Sequence, residues 1–218
     1  LMPEEVDSAW QGAAALFYEN EQLRAGGVRI ATAPDGKSLY YGSTTRGWQR
    51  PDEGIQRITY NGKVPFHVKS CSLTLDGFNV GFTEPIANSD QLYQHIKIRS
   101  YRFEYGYRYG SGELDKKDHK ILAIQKLDDS DNPAWGIALE NLAPGRIYEL
   151  SFTVKSASGS EMKSPFVQYT VQRLRRPPSD YTATISKTGR GLEVSLGGKP
   201  LATYDNTSSN KPIIWQLT

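Results

Sequence analysis

At 218 residues, with 26 basic side chains against 24 acidic ones, the chain has room for one large domain or two small ones, and its net charge of +2 speaks against a dedicated nucleic-acid binder. Thirteen Tyr, seven Phe and four Trp favour pleated, half-buried surfaces, and twenty Gly and twelve Pro supply the turns that many short strands need. No apolar run approaches the roughly 18 residues that cross a bilayer, and Cys71, the only cysteine, excludes an internal disulfide and a cysteine-based metal site.

The opening Leu1-Met2-Pro3-Glu4-Glu5 lacks the basic stretch and apolar run of a signal peptide. The expectation is a piece cut at both ends from something longer. Residues 8–17 read either as a short helix weakened by Gly12 or as loop plus strand. From Gly26 the pattern is β: a short alternating run at 28–31, the turn Ala33-Pro34-Asp35-Gly36-Lys37, a strand at 38–42, a polar loop at 43–54 and a strand at 55–60 ending in the hairpin signal Asn61-Gly62. These three strands look like most of one propeller blade.

Residues 66–175 carry candidate strands at 68–75, 79–83, 96–109, 120–126, 135–139, 147–154 and 166–174, spaced at the rhythm of a β-sandwich. Cys71 is expected as a small buried strand residue. The charge run and two prolines at 173–179 mark a linker, after which strands restart at 181–186, 192–196, 201–204 and 213–218, the last with no obvious partner. The expected fold class is all-β. Residues 1–65 form a partial propeller blade, 66–175 an immunoglobulin/fibronectin-like sandwich, and 176–218 a linker and the start of a further β unit.

The ordered series Ala33-Pro34-Asp35-Gly36-Lys37-Ser38-Leu39-Tyr40-Tyr41-Gly42, Thr45-Arg46-Gly47-Trp48, Gly54-Ile55-Gln56-Arg57-Ile58 and Tyr60-Asn61-Gly62-Lys63-Val64-Pro65-Phe66 resembles the last blade of bacterial quinoprotein-type glucose/sorbosone dehydrogenase-like proteins. Gly77-Phe78-Asn79-Val80-Gly81-Phe82-Thr83-Glu84-Pro85-Ile86 and residues 142–150 resemble the β-sandwich that follows that blade. The resemblance implies a secreted or periplasmic protein whose remaining propeller blades are this chain's partners. It implies PQQ and calcium for the parent protein and no cofactor in this chain, because the catalytic histidine and most cofactor contacts belong to earlier blades. Whether the parent is an active enzyme stays open, and this chain carries no complete active site of its own.

Two segments are candidates for ligand contact. Arg46 and Trp48 lie in a loop of the kind that stands at a propeller mouth, where a guanidinium clamps an anion and an indole stacks on a sugar or quinone. The plainer reading has Trp48 packing on a neighbouring blade and Arg46 solvated or paired with Asp52 or Glu53. In the run 101–109, period two places Tyr101, Phe103, Tyr105, Tyr107 and Tyr109 on one strand face. That face is either the core side of a sandwich strand, which is preferred, or a carbohydrate platform. His67, His95 and His119 show no metal spacing, His119 reads as solvated loop, and Asp128-Asp129-Ser130-Asp131-Asn132 reads as a turn rather than a calcium loop.

Overall fold

The computed structural model describes residues 1–18, 22–24, 26–44, 53–87, 89–107, 110–127, 134–177, 183–188, 191–196, 199–205 and 213–216. The fold is all-β. Among the described residues there are four antiparallel sheets, and two of them form a sandwich. One holds β1 (Met2–Val6), β2 (Ala9–Ala14), β8 (Ile96–Arg102), β9 (Leu114–Asp118), β12 (Arg146–Phe152) and β13 (Phe166–Val171), in the order β1-β2-β13-β12-β8-β9. The other is β10-β11-β7-β6, from β6 (Val68–Leu73), β7 (Gly77–Phe82), β10 (Ile121–Leu127) and β11 (Ala134–Leu139). Taking β6 to β13 as A, B, C, C′, D, E, F and G gives D-E-B-A against G-F-C-C′, the connectivity of immunoglobulin-type sandwiches.

Alternation in the sequence explains the packing. Along β12 every second residue is buried, so Tyr148, Leu150 and Phe152 face Phe78 and Phe82 of β7. The rings of Phe78 and Tyr148 lie 5.5 Å apart, those of Phe78 and Tyr169 5.2 Å, and those of Phe82 and Phe152 5.3 Å. Tyr148 Oη accepts from the Ala143 N–H (2.8 Å) and donates to the Ala143 carbonyl (3.2 Å), the tyrosine corner typical of strand F. Cys71 is buried as expected, and burial pushes its thiol pKa up.

Residues 2–14 correct both the helical reading and the boundary placed at 65. They form a hairpin whose turn residues Asp7 and Ser8 take φ of 48° and 62°, and β2 pairs with β13 inside the sandwich sheet. Side chains explain the docking. The Gln11 amide donates to Tyr169 Oη (3.1 Å) and the Arg173 carbonyl (3.2 Å), and its oxygen accepts from the N–H groups of Gln172 (2.9 Å) and Arg173 (2.8 Å). Glu4 accepts from the Leu73 N–H at 2.6 Å and from Tyr169 Oη and Arg175, which ties β1 to the edge of β6. Polar satisfaction of one otherwise bare sheet edge is the result.

Gly77 marks a close backbone approach in the β7–β11 pair, because a Cβ there would collide with the Ile137 carbonyl oxygen. Gly77→Ala is therefore expected to lower the unfolding free energy by about 1–3 kcal/mol, measured as a shift in the urea midpoint.

The third sheet is β3 (Gly27–Thr32), β4 (Ser38–Ser43) and β5 (Gly54–Thr59), a three-stranded antiparallel meander. Its first turn follows the sequence reading: Asp35 Oδ1 accepts from the N–H groups of Lys37 (2.8 Å) and Ser38 (3.0 Å), and Gly36 takes φ of 63°. The Lys37 N–H, with further help from Ser38 and Arg57, holds the Asp35 carboxyl below the usual range. Asn61-Gly62 does turn, with Gly62 at φ 83° and the Lys63 N–H donating to Asn61 Oδ1 at 3.1 Å, but β6 pairs with β7 instead of folding back on β5. The fourth sheet is the meander β14 (Ala183–Thr188), β15 (Gly191–Leu196), β16 (Lys199–Asp205) and β17 (Ile213–Gln216), which gives the final strand a partner the sequence left unassigned.

Candidate functional site

Arg46, Trp48, Tyr109 and residues 128–132 lie outside the described residues. Of the aromatic run, the structure places Tyr101, Phe103, Tyr105 and Tyr107, and it does not put them on one strand face. Strand β8 ends at Arg102, because its ladder with β9 shifts register and closes on the pair Arg102–Leu114. The period-two pattern continues in the sequence beyond the point where there is a strand to pair with. Tyr101 is 2% exposed, whereas Phe103 is half exposed and Tyr105 and Tyr107 stand almost wholly in solvent. The core-side reading therefore fails for Phe103, Tyr105 and Tyr107, which sit in the loop between β8 and β9.

Tyr101 points to the outer face of its sheet, in register with Ile147, and is buried there by its neighbours. Phe103 packs edge-on against it (5.4 Å, 67°), and the Arg99 guanidinium covers its ring at 5.5 Å. Arg99 in turn donates to Glu149 (2.8 and 3.1 Å) and Glu113 (2.9 and 3.3 Å), and Gln168 donates to Tyr101 Oη (2.9 Å) and Glu149 (3.0 Å). The Arg99 bonds hold the Glu149 carboxyl below the usual range, and burial raises the Tyr101 phenol. The arrangement makes a charge-braced footing from which the exposed rings project.

The sign of the resulting pH dependence follows directly. Glu149 is depressed in the folded state below its ordinary value of 4.5, so its stabilisation is present above that value and is lost as pH falls through the folded one. Glu149→Gln is expected to flatten the acid limb of a stability-against-pH curve measured by urea denaturation.

A second cluster escaped the sequence reading. His119 is half-buried, not solvated loop, and joins β9 of one sheet to β10 of the other. Its Nε2 lies 2.6 Å from Ser100 Oγ, which accepts from Arg146 Nε at 2.7 Å. Arg146 also donates to the Asp115 carboxylate at 2.6 Å and to the Asp115 carbonyl. Arg146 holds the Asp115 carboxyl below the usual range, and burial pushes the His119 pKa down. A Ser–His pair with an arginine beside it superficially fits a nucleophile. Ser100 is wholly buried inside a strand, however, so no substrate reaches its oxygen. The cluster ties β8 and β12 to β9 and the link that follows it. Nothing in spacing reveals it, since Ser100, His119 and Arg146 meet only when strands C, C′ and F pair.

The other two histidines serve locally: His67 Nδ1 is 3.2 Å from the Val68 carbonyl and His95 Nδ1 3.1 Å from Thr153 Oγ1. At the linker, Asp7, Pro144, Gln172, Leu174 and Arg173, Arg175 and Arg176 line a shallow depression of about 240 Å³, in which Arg175 pairs with Glu4 and Arg176 with Asp7. Compared with protein-family models, with curated proteins and with solved structures, the chain matches none.

Proposed function

We propose that this chain is a non-catalytic accessory portion of a secreted, sugar-dehydrogenase-like protein of bacterial type, whose sandwich braces or positions a propeller that β3, β4 and β5 help complete. One observation carries the reading. The three strands bury no apolar side chain, their buried residues being Ser38 and Ser43: every residue of β3 is exposed, Ile30 to 68%, and Ile55 on β5 to 79%. Among the described residues β3 and β5 each pair only with β4, so both edges of the sheet are open. A small sheet with apolar side chains in water and two open edges is marginal alone and finds its stability by packing against other strands. Neighbouring blades would supply that cover. PQQ and calcium belong, on this reading, to the parent's other blades.

Co-expression with a sugar-dehydrogenase-type propeller lacking its last blade tests this. A stable co-purifying complex is the expected result, and two independently migrating proteins would overturn it. In the chain by itself, Ile30→Lys and Ile55→Lys are expected to weaken concentration-dependent association in sedimentation velocity, while the unfolding free energy stays within about 0.5 kcal/mol.

A second reading is favoured by a different observation. The exposure of Phe103, Tyr105 and Tyr107 on a loop with Gly106, Gly110 and Gly112 suits a carbohydrate-binding module, since flat phenol rings match apolar sugar faces. Calorimetric titration with glucose, soluble plant-type oligosaccharides and PQQ with calcium separates the two. Saturable sugar binding lost in Tyr105→Ala and Tyr107→Ala would favour the module, and silence would favour the bracing role.

A further inference from the structure

Strand β9 is attached to the sandwich in an unusual way for an edge strand. None of its residues is buried, so it contributes no side chain to the core. Its attachment is polar: a short, register-shifted ladder with β8, the His119 N–H donating to the Ile98 carbonyl (2.9 Å), the Arg146–Asp115 pair (2.6 Å) and the His119–Ser100 bond (2.6 Å). Ahead of it, Arg99 holds Glu113 at 2.9 Å.

The direction of donation in this cluster is determined by chemistry. Arg146 can only donate, so Ser100 Oγ accepts from it, and since among the described residues the hydroxyl has His119 Nε2 as its one other partner, its own proton goes there. Nε2 must therefore be bare, and the ring proton sits on Nδ1, facing the Glu140 carbonyl at 3.4 Å. Protonating Nε2 sets two donors head to head. The hydroxyl proton must then find another acceptor in a place with no water access, since Ser100 is wholly buried. It also adds a cation beside Arg146. The charged groups around the ring are Arg146 on β12 and Lys117 and Asp118 on β9, with Asp115 behind Arg146. The remaining neighbours are the Tyr148 ring on β12, 5.0 Å away, and the Glu140 carbonyl just after β11. Cations thus prevail close to the imidazole.

We propose that Ser100, His119 and Arg146 form an acid-released latch, and that protonation of His119 frees β9, and with it the aromatic loop at its head, from the sandwich. The inference stands independently of the accessory and carbohydrate readings. It assigns a role to a cluster with no access for substrate and explains why an edge strand without apolar anchors is held beside an exposed aromatic loop. Burial disfavours the charged imidazole, so the latch is closed above the ordinary histidine value of 6.5 and opens as pH falls through the folded value.

Hydrogen exchange at about pH 7.5 and about pH 5, corrected for intrinsic rates, tests it on residues 114–118 against β12. Protection of β9 is expected to fall about tenfold on acidification while β12 keeps its own, and His119→Gln is expected to abolish the pH dependence. Equal loss in both strands, the same loss in His119→Gln, or no loss at all would overturn the latch. Nitrogen chemical shifts of His119 in the unaltered protein provide a check that needs no variant. Nε2 is expected bare at neutral pH, with its protonation coinciding with the loss of β9 protection. A protonated Nε2 at neutral pH would contradict the proposal.

Discussion

Phe78→Ala is expected to lower the unfolding free energy by about 3–5 kcal/mol, out of a total that for a domain of this kind is about 5–15 kcal/mol. Phe78 is fully buried near the start of β7 and is the ring on which the two sheets meet, lying 5.5 Å from Tyr148 and 5.2 Å from Tyr169. Both tyrosines are themselves tied by their hydroxyls, Tyr148 to Ala143 and Tyr169 to Gln11 and Glu4. They cannot slide inward to fill the space without giving up those bonds, so the cavity stays open and the cost lies toward the upper end of the range. Urea denaturation with an unchanged slope measures it. Phe166→Ala, at a partly exposed ring on the outer face, is the matched control with a much smaller expected loss.

Arg146→Ala is expected to cost about 2–4 kcal/mol. The guanidinium is 8% exposed, donates to Ser100 Oγ at 2.7 Å and pairs with Asp115 at 2.6 Å. Its loss removes the donor to a wholly buried hydroxyl and takes from Asp115 its arginine partner. Asp115 is 40% exposed, so water takes over part of its solvation and the cost stays below that of an ion stranded in the core. The contrast is Arg57→Ala. That arginine pairs with Asp35 at 2.8 Å with both side chains about half exposed, and the Ser38 hydroxyl to which it also donates at 3.0 Å keeps Asp35 and Thr59 as partners, so its removal is expected to cost no more than about 1 kcal/mol.

What the sequence made legible was governed by period two. Wherever alternation was accompanied by burial on one face, as at Tyr148, Leu150 and Phe152, the strand lies within a residue or two of its expected limits. The same pattern misled at 103–107, because alternation describes side chains while a strand also needs a partner, and β9 begins only at Leu114, opposite Arg102. Residues 114–118 gave no strand signal, since every side chain in them faces solvent and polar bonds alone hold them in place. Gln11 explains the mistaken boundary in a similar way. Its four bonds to Tyr169, Gln172 and Arg173 span about 160 positions, which no local pattern conveys. Among the site residues, the exposure of Tyr105 and Tyr107 depended on where β8 stops. The Ser100–His119–Arg146 cluster depended on three strands coming together.

The proposed accessory role rests on the claim that β3, β4 and β5 form a sheet whose stability comes from strands supplied by a partner, beside a sandwich that is stable by itself. Peptide-resolved hydrogen exchange on the isolated chain tests that claim most directly. The account predicts that amides of β3, β4 and β5 exchange orders of magnitude faster than those of β7, β11 and β12, whose side chains carry the core. Protection of the three-stranded sheet equal to that of β12 would mean that it is stable without further strands, and would contradict the account.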